Sequence, residues 1–249
     1  MNIGLTSRFA ALIRGLYVRN LPYSDYLNRD FLKYIPRRKI DRIFELGARD
    51  GADGIALRDY FDADVTCFEC NPHGVALCTV NLAGESRIRL VNRAVWDQNE
   101  EIDFYPVTSA SLENGNAVFE RYGKPFSNIG ASSCFLTKNT YTQKYEQEKI
   151  KVQAVRLEDY CRDQNIDVID LLCIDVQGAA LHALRGLGKR ITSVNYIIVE
   201  LEVREIYHGQ SLYQETHDYL CSHNFVEVCS VERDGWFSDF LFVRSEPRI

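Results

Sequence analysis

From Asp41 onward, the apolar positions fall into short blocks whose period alternates between that of a strand and that of a helix. RIFELG (42–47) is a compact apolar run closed by glycine, the pattern of a buried strand. IALRDYF (55–61) spaces its apolar residues as a helix does. VTCFEC (65–70) returns to strand, VALCTVNL (75–82) to helix, and IRLVNRAV (88–95) gives a third strand. The rhythm resumes with the strand DVIDLLCID (167–175) and the helix ALHALRGL (180–187), whose leucines fall at i, i+3 and i+6. NYIIVELEV (195–203) is the next strand and LYQETHDYLCSHN (212–224) the next helix. This alternation predicts an α/β fold with a mostly parallel sheet and crossover helices. FVEVCSV (225–231) and WFSDFLFV (236–243), separated by Glu232-Arg233-Asp234-Gly235, predict an antiparallel hairpin at one edge.

Two stretches break the rhythm. Residues 1–38 place Phe9, Leu12, Ile13 and Leu16, then Tyr26, Leu27, Phe31 and Leu32, at helical spacing, so they form an N-terminal helical extension ahead of a main domain over 39–249. Residues 108–149 are polar and rich in Ser, Asn, Gly and Lys. A loop of that length inside a compact domain suits a lid or binding insertion.

Composition narrows the function. The 249 residues carry 29 basic and 35 acidic side chains, a net charge of −6, which argues against affinity resting on a nucleic-acid backbone. Arg37-Arg38-Lys39 is the one compact basic run. The eight cysteines are scattered, and only Cys67 and Cys70 have metal-like spacing. They fall in a strand, where residues three apart point to opposite faces. Reduced cysteines acting as small hydrophobes, in a cytoplasmic protein, are the expectation. No apolar run reaches the length of a membrane span, and FAALI near the start is too short for a signal peptide core.

FELGARDGADG (44–54) follows the first strand with glycines at 47, 51 and 54. A dinucleotide fingerprint needs G-x-G-x-x-G, and the middle glycine is missing. Glu45 inside the turn would also repel a pyrophosphate. A phosphate-free ligand with a cationic group suits it better, and S-adenosylmethionine, with its ammonium, sulfonium and ribose diol, is such a ligand. The second strand then ends in Phe68-Glu69-Cys70-Asn71-Pro72, and an acid at this tip is placed to accept both ribose hydroxyls.

In order along the chain, FELGARDG, FECNP, VNRAVWD, GASS at Gly130, VRLEDY and IDLLCIDVQGAALHALRGL resemble the FkbM-type methyltransferases over about residues 41–230. The resemblance implies a Rossmann-like class I methyltransferase sheet that uses S-adenosylmethionine, usually to methylate a hydroxyl of a sugar, glycan or glycosylated natural product. By it, Glu45, Gly47, Ala48 and Gly51 line the methionine portion, Glu69 with Cys70 and Asn71 holds the ribose, and Ala94, Val95 and Asp97 lie near the adenine. Ser132 and Ser133 match a small polar motif that bonds the cofactor carboxylate or the acceptor, or simply forms a turn. The chain departs from the family pattern at Arg49, where the family has Asn, and at Cys70, where it has Pro. In the fourth strand, Lys-x-Asp-x-Glu-Gly-x-Glu becomes Cys173-Ile-Asp175-Val-Gln177-Gly178-Ala-Ala180.

Methyl transfer to a hydroxyl gains from in-line positioning and from a base that takes the proton. Asp175 ends the fourth strand on the ligand edge, where it touches the acceptor or the cofactor ammonium, or caps the next helix. Glu200 and Glu202 share one face at the end of the fifth strand, and His208 follows in the loop. Asp175, Glu200 and His208 are the catalytic candidates. Asp175 with Glu200 also offers oxygen ligands for a divalent cation. Two other readings stand beside the O-methyltransferase. One is a cofactor-binding protein with weak or no catalysis, suggested by the missing lysine and glutamates. The other is a methyltransferase acting on a non-sugar acceptor.

Overall fold

A computed structural model describes residues 24–112 and 128–245. Its strands are β1 (Arg42–Leu46), β2 (Asp64–Glu69), β3 (Ile88–Asn92), β4 (Ala94–Trp96), β5 (Glu101–Phe104) and β6 (Val107–Leu112), then β7 (Gln143–Gln147), β8 (Ile150–Arg156), β9 (Ile169–Ile174), β10 (Val194–Glu202), β11 (Phe225–Glu232) and β12 (Phe237–Arg244). Its α-helices are α1 (Arg29–Leu32), α2 (Ala52–Phe61), α3 (Pro72–Asn81), α4 (Leu157–Asp163), α5 (Ala180–Gly186) and α6 (Tyr213–Ser222).

The described residues form a seven-stranded sheet in the order β11-β12-β10-β9-β1-β2-β3. The pairs β3–β2, β2–β1, β1–β9 and β9–β10 are parallel; β12 runs antiparallel between β10 and β11. The expected parallel sheet with an antiparallel hairpin at its edge is therefore present. Strand alternation splits the core in two. Phe44, Leu46, Leu172, Ile174 and Val199 pack with Leu157, Ala183, Leu184 and Leu220 of α4, α5 and α6. Ile43, Cys67, Leu171, Cys173 and Ile198 pack on the other face with Ile55 and Leu57 of α2 and Cys78 of α3. Tyr26, Leu27, Phe31 and Ile35 join this second cluster, so the segment before β1 seals one side of the sheet. Among its described residues the 3-10 turns Asp25–Leu27 and Arg37–Lys39 and the short α1 are helical; Phe9, Leu12, Ile13 and Leu16 lie outside the described residues.

Two expectations change. The run 88–95 is not one strand: the chain bends at Arg93, whose N–H donates to Val91 O at 2.9 Å. β4 leaves the main sheet to pair in parallel with β8, which also holds β5 antiparallel. The segment from 108 to 149 is not simply a loop, because β6 and β7 form an antiparallel ribbon; residues 113–127 lie outside the described residues. Val107 and Ala110 of β6, on either side of a register shift, and Tyr145 of β7 give the ribbon a buried face that packs with Tyr141, Ile206 and Tyr207.

All eight cysteines are free, with Cys67, Cys78, Cys161 and Cys173 buried as small apolar side chains. Among the described residues no helix is long and apolar enough to cross a membrane.

Candidate active site

Strand order reverses between β1 and β9. The loops that leave their carboxyl ends diverge there and open a crevice, the place where open α/β sheets hold ligands. Gly47 follows β1 with φ of +87°, and a Cβ on it would lie 1.8 Å from the Asp175 carbonyl oxygen. The left-handed backbone and this close approach both require glycine. Gly47 and Ala48 donate their N–H groups to Phe68 O at 2.9 and 3.0 Å, which fixes the turn against the end of β2.

Beside the turn, β2 ends on Glu69, 8% exposed. Its Oε2 accepts from Arg49 N at 2.6 Å, and its Oε1 accepts from Cys70 N at 2.9 Å and Asn71 N at 2.7 Å. Burial pushes its pKa up to about 7, against the pull of these three donors. A carboxylate has about four lone-pair directions, so acceptor capacity remains for a ligand. The Asn71 side chain caps α3 by accepting from His73 N at 3.1 Å, with Pro72 in the first turn. Its Nδ2 donates to Ser132 Oγ at 3.1 Å, joining the β2 tip to the ribbon side of the crevice.

The crevice has two parts that share Tyr26, Arg49, Asp53 and Asp175. Gly47, Phe68, Glu69, Cys70, Asn71, Ala94, Val95, Ser132 and Cys134 line the first, which mixes apolar walls with convergent polar and charged groups. Glu200, Arg233, Asp234, Phe237 and Asp239 line the second, which is strongly acidic. Between them Gln177 Nε2 donates to Asp175 Oδ1 and to Glu200 Oε1, both at 2.7 Å. One amide nitrogen thus holds two buried carboxyls close together, where both cannot readily carry a charge. Burial pushes both carboxyls up, Glu200 further because Asp175, Glu202 and Asp239 add negative charge around it. Asp239 itself is pushed up to about 6 by burial, against the attraction of its partner Arg233.

The profile of the Methyltransferase FkbM domain matches residues 46–227. The chain belongs to the FkbM methyltransferase family. It is 29% identical over 191 residues to the 2-O-methyltransferase NoeI of Sinorhizobium fredii, covering 74% of this chain and 72% of that protein. The fold is similar to the crystal structure of the FkbM methyltransferase of Methylobacillus flagellatus KT, with a TM-score of 0.54 at 12% identity. That match covers 95% of this chain and 53% of the other, so the chain spans about half the length of that protein.

In this FkbM-family chain, the structure brings Gly47, Arg49, Glu69, Cys70, Asn71, Ala94, Val95, Ser132 and Asp175 to the first part of the crevice, and Glu200 to the second. Other candidates lie elsewhere. Glu45, 1% exposed, does not reach the crevice wall. Strand alternation turns it under α2, where Cys67 Sγ donates to its Oε2 at 2.9 Å and burial pushes its pKa well up. Ala48 and Gly51 form the turn without lining the crevice; Gly51, at φ +79°, precedes the first residue of α2. Ser133 Oγ donates to Gln177 O at 2.6 Å and accepts from Phe135 N at 3.0 Å, a turn-building role.

Asp97 is carried away by β4 and meets His182 Nδ1 at 3.0 Å, and that imidazole stacks on Trp96 at 3.8 Å. His208 is exposed and outside both parts of the crevice; its backbone N–H donates to Leu136 O at 2.8 Å. Glu202 is buried and lines neither part of the crevice, and burial pushes its pKa up to about 8.

Sequence reasoning missed Tyr26, Asp53, Gln177 and Arg233. Asp53 had one signal, an acid in the first turn of the helix that follows the glycine turn. The divalent cation finds no support: the Gln177 amide nitrogen fills the position between Asp175 and Glu200. Among the described residues no group of three or more His, Cys, Asp or Glu side chains is arranged to hold a metal.

Proposed function

We propose that the chain is an S-adenosylmethionine-dependent O-methyltransferase acting on a hydroxyl of a sugar or sugar-bearing molecule. The observation that carries this is Glu69: a buried carboxylate at the tip of β2, held by three backbone N–H groups with acceptor capacity left over. That is an acceptor built for a vicinal diol. The rest of the crevice fits the same cofactor. Gly47 lines the crevice where the β1 turn closes on the end of β9, and Asp53 and Asp175 offer acids to an ammonium. Phe68, Cys70, Ala94, Val95 and Cys134 give apolar walls for a base. When bound, the cofactor supplies an electrophilic methyl group on a sulfonium.

Asp175 lines both parts of the crevice, so it can take the hydroxyl proton of an acceptor seated in the second. Asp175 and Glu200 supply the ionisable groups that Cys173, Gln177 and Ala180 do not. Cys173 is fully buried and Ala180 packs in the core of α5. The name of the Sinorhizobium relative supports oxygen as the atom methylated.

Calorimetric titration of the purified chain with S-adenosylmethionine, S-adenosylhomocysteine and NAD tests the cofactor. Binding of the first two with silence from NAD is the expected result, and NAD binding alone would overturn the reading. Transfer of labelled methyl from S-adenosylmethionine to a panel of methyl glycosides and amino-bearing analogues then tests the acceptor atom. Label appearing only on the amines would exclude the hydroxyl.

A further inference from the structure

We propose that Gln177 is the positioning residue of a two-carboxyl base: one amide, oriented by Tyr207, ties Asp175 and Glu200 into a pair that shares a single proton and presents Asp175 ionised to the acceptor. This deepens the proposed function, on which the role of Asp175 toward the acceptor rests.

The geometry is closed on every side. Both hydrogens of Gln177 Nε2 are used, one on Asp175 Oδ1 and one on Glu200 Oε1. Gln177 Oε1 lies 2.9 Å from the hydroxyl of Tyr207, a side chain 1% exposed whose Oη is also 2.9 Å from Ala131 O. An amide flip would turn its oxygen onto the ionised Asp175 and lose that charge-assisted bond. The backbone is equally fixed, with Gln177 at φ +47°, Gly178 at φ +86°, and Gln177 O accepting from Ser133 Oγ at 2.6 Å.

The residue type matters as much as the place. A glutamate, which the resembling family commonly has here, would bring a third negative charge against Asp175 and Glu200. Glutamine instead brings two donors and no charge. Two carboxyls on one nitrogen cannot both ionise in a buried site at moderate pH, so the pair holds one proton between them.

The surroundings decide which partner keeps it. Arg49 from the β1–α2 turn and Arg233 from the β11–β12 turn favour an ionised Asp175. Glu202 on β10, Asp239 on β12 and Asp175 itself disfavour a charge on Glu200. Asp25 and Asp234 line the same part of the crevice, and Asp53 on α2, Tyr26 before β1, Tyr141 and Tyr145 of the ribbon side, and Tyr207 also face the pair. Glu200 therefore carries the shared proton. The proton that Asp175 takes from the acceptor hydroxyl balances the positive charge lost when the sulfonium becomes a thioether.

Infrared spectroscopy of protonated carboxyl groups across pH 5–10, on the full chain, tests the pair without any acceptor. Subtracting the Glu200→Gln spectrum removes the background from Glu45 and Glu202. One protonated-carboxyl band at neutral pH is expected in this difference. Gln177→Met removes the donor from the ionised Asp175, so uptake of the second proton should move to higher pH by about one unit, a tenfold change in proton affinity. Tyr207→Phe, which frees only the amide oxygen, should move it part of the way and serves if Gln177→Met does not fold. Absence of the band, or a titration that neither variant moves, overturns the proposal. S-adenosylhomocysteine affinity measured on the same samples separates the two readings. A band that behaves as expected in a chain that binds no S-adenosylhomocysteine keeps the pair and removes the cofactor assignment.

Discussion

Glu69 must be ionised to accept a diol, yet the fold holds its pKa at about 7. The sign of the pH effect follows. Because the folded state raises this carboxyl above its ordinary value, the proton on Glu69 favours folding. That contribution is fully present below the ordinary carboxylate range and is lost as pH rises through about 7. Cofactor binding runs the other way. Affinity for S-adenosylhomocysteine should fall about tenfold per pH unit below 7 and level off above it, read by calorimetry between pH 5.5 and 8.5. Glu69→Gln should flatten this profile and weaken binding at pH 8 by about 10- to 100-fold, the worth of one charge-assisted hydrogen bond. A profile that stays steep in Glu69→Gln would assign the titration to another group. Asp175 predicts a different pattern. Asp175→Asn should lower turnover on an accepted methyl glycoside by about 10²- to 10⁴-fold, the usual contribution of a general base, with S-adenosylhomocysteine affinity within a few-fold of the parent. A loss confined to affinity would place Asp175 on the cofactor ammonium instead.

At the level of elements, the site depends on how tightly β1 and β9 approach. Gly47→Ala places a Cβ 1.8 Å from the Asp175 carbonyl and imposes a left-handed φ on a residue with a side chain. It should destabilise the chain by about 4 kcal/mol or more, measured by urea unfolding, because neither backbone can move without breaking the β1–β9 pairing. This glycine was legible from the sequence, since a turn after a buried strand with an acid and close glycines has few other uses. The acid beside it was misread for a reason intrinsic to strands. Glu45 lies one residue before the end of β1, so alternation sends it into the α2 face. Glu69 is the last residue of β2 and projects at the edge. Non-local pairing hid the rest. The run 88–95 carries one unbroken strand pattern, yet β4 is drawn off by β8, which lies far along the chain and leaves no local trace. For the same reason Tyr26, Gln177, Arg233 and Glu200 meet only once the sheet has assembled.

Across the whole molecule, no single element owns the crevice. Its walls come from the segment before β1, the turns after β1, β2 and β9, the end of β10, the β11–β12 turn and the stretch around Ser132. These pieces belong to both faces of the sheet, because Tyr26 packs in one core cluster and Phe68 in the other. A ligand seated there contacts parts that separate when the chain unfolds, so the folded state alone can bind it. At a free ligand concentration a hundredfold above its dissociation constant, such linkage adds about 2.7 kcal/mol to stability. For a domain of this size that is a rise in melting temperature of about 5–10 °C. S-adenosylhomocysteine should produce it at pH 8, read by differential scanning calorimetry, and NAD at the same concentration should produce none. At pH 6 the rise should shrink, because binding must first remove the proton from Glu69. A rise equal at both pH values would mean that the ligand is held without the ribose acceptor. The diol would then have to find its partner among the crevice's other groups, and the assignment of the β2 tip would fall with it.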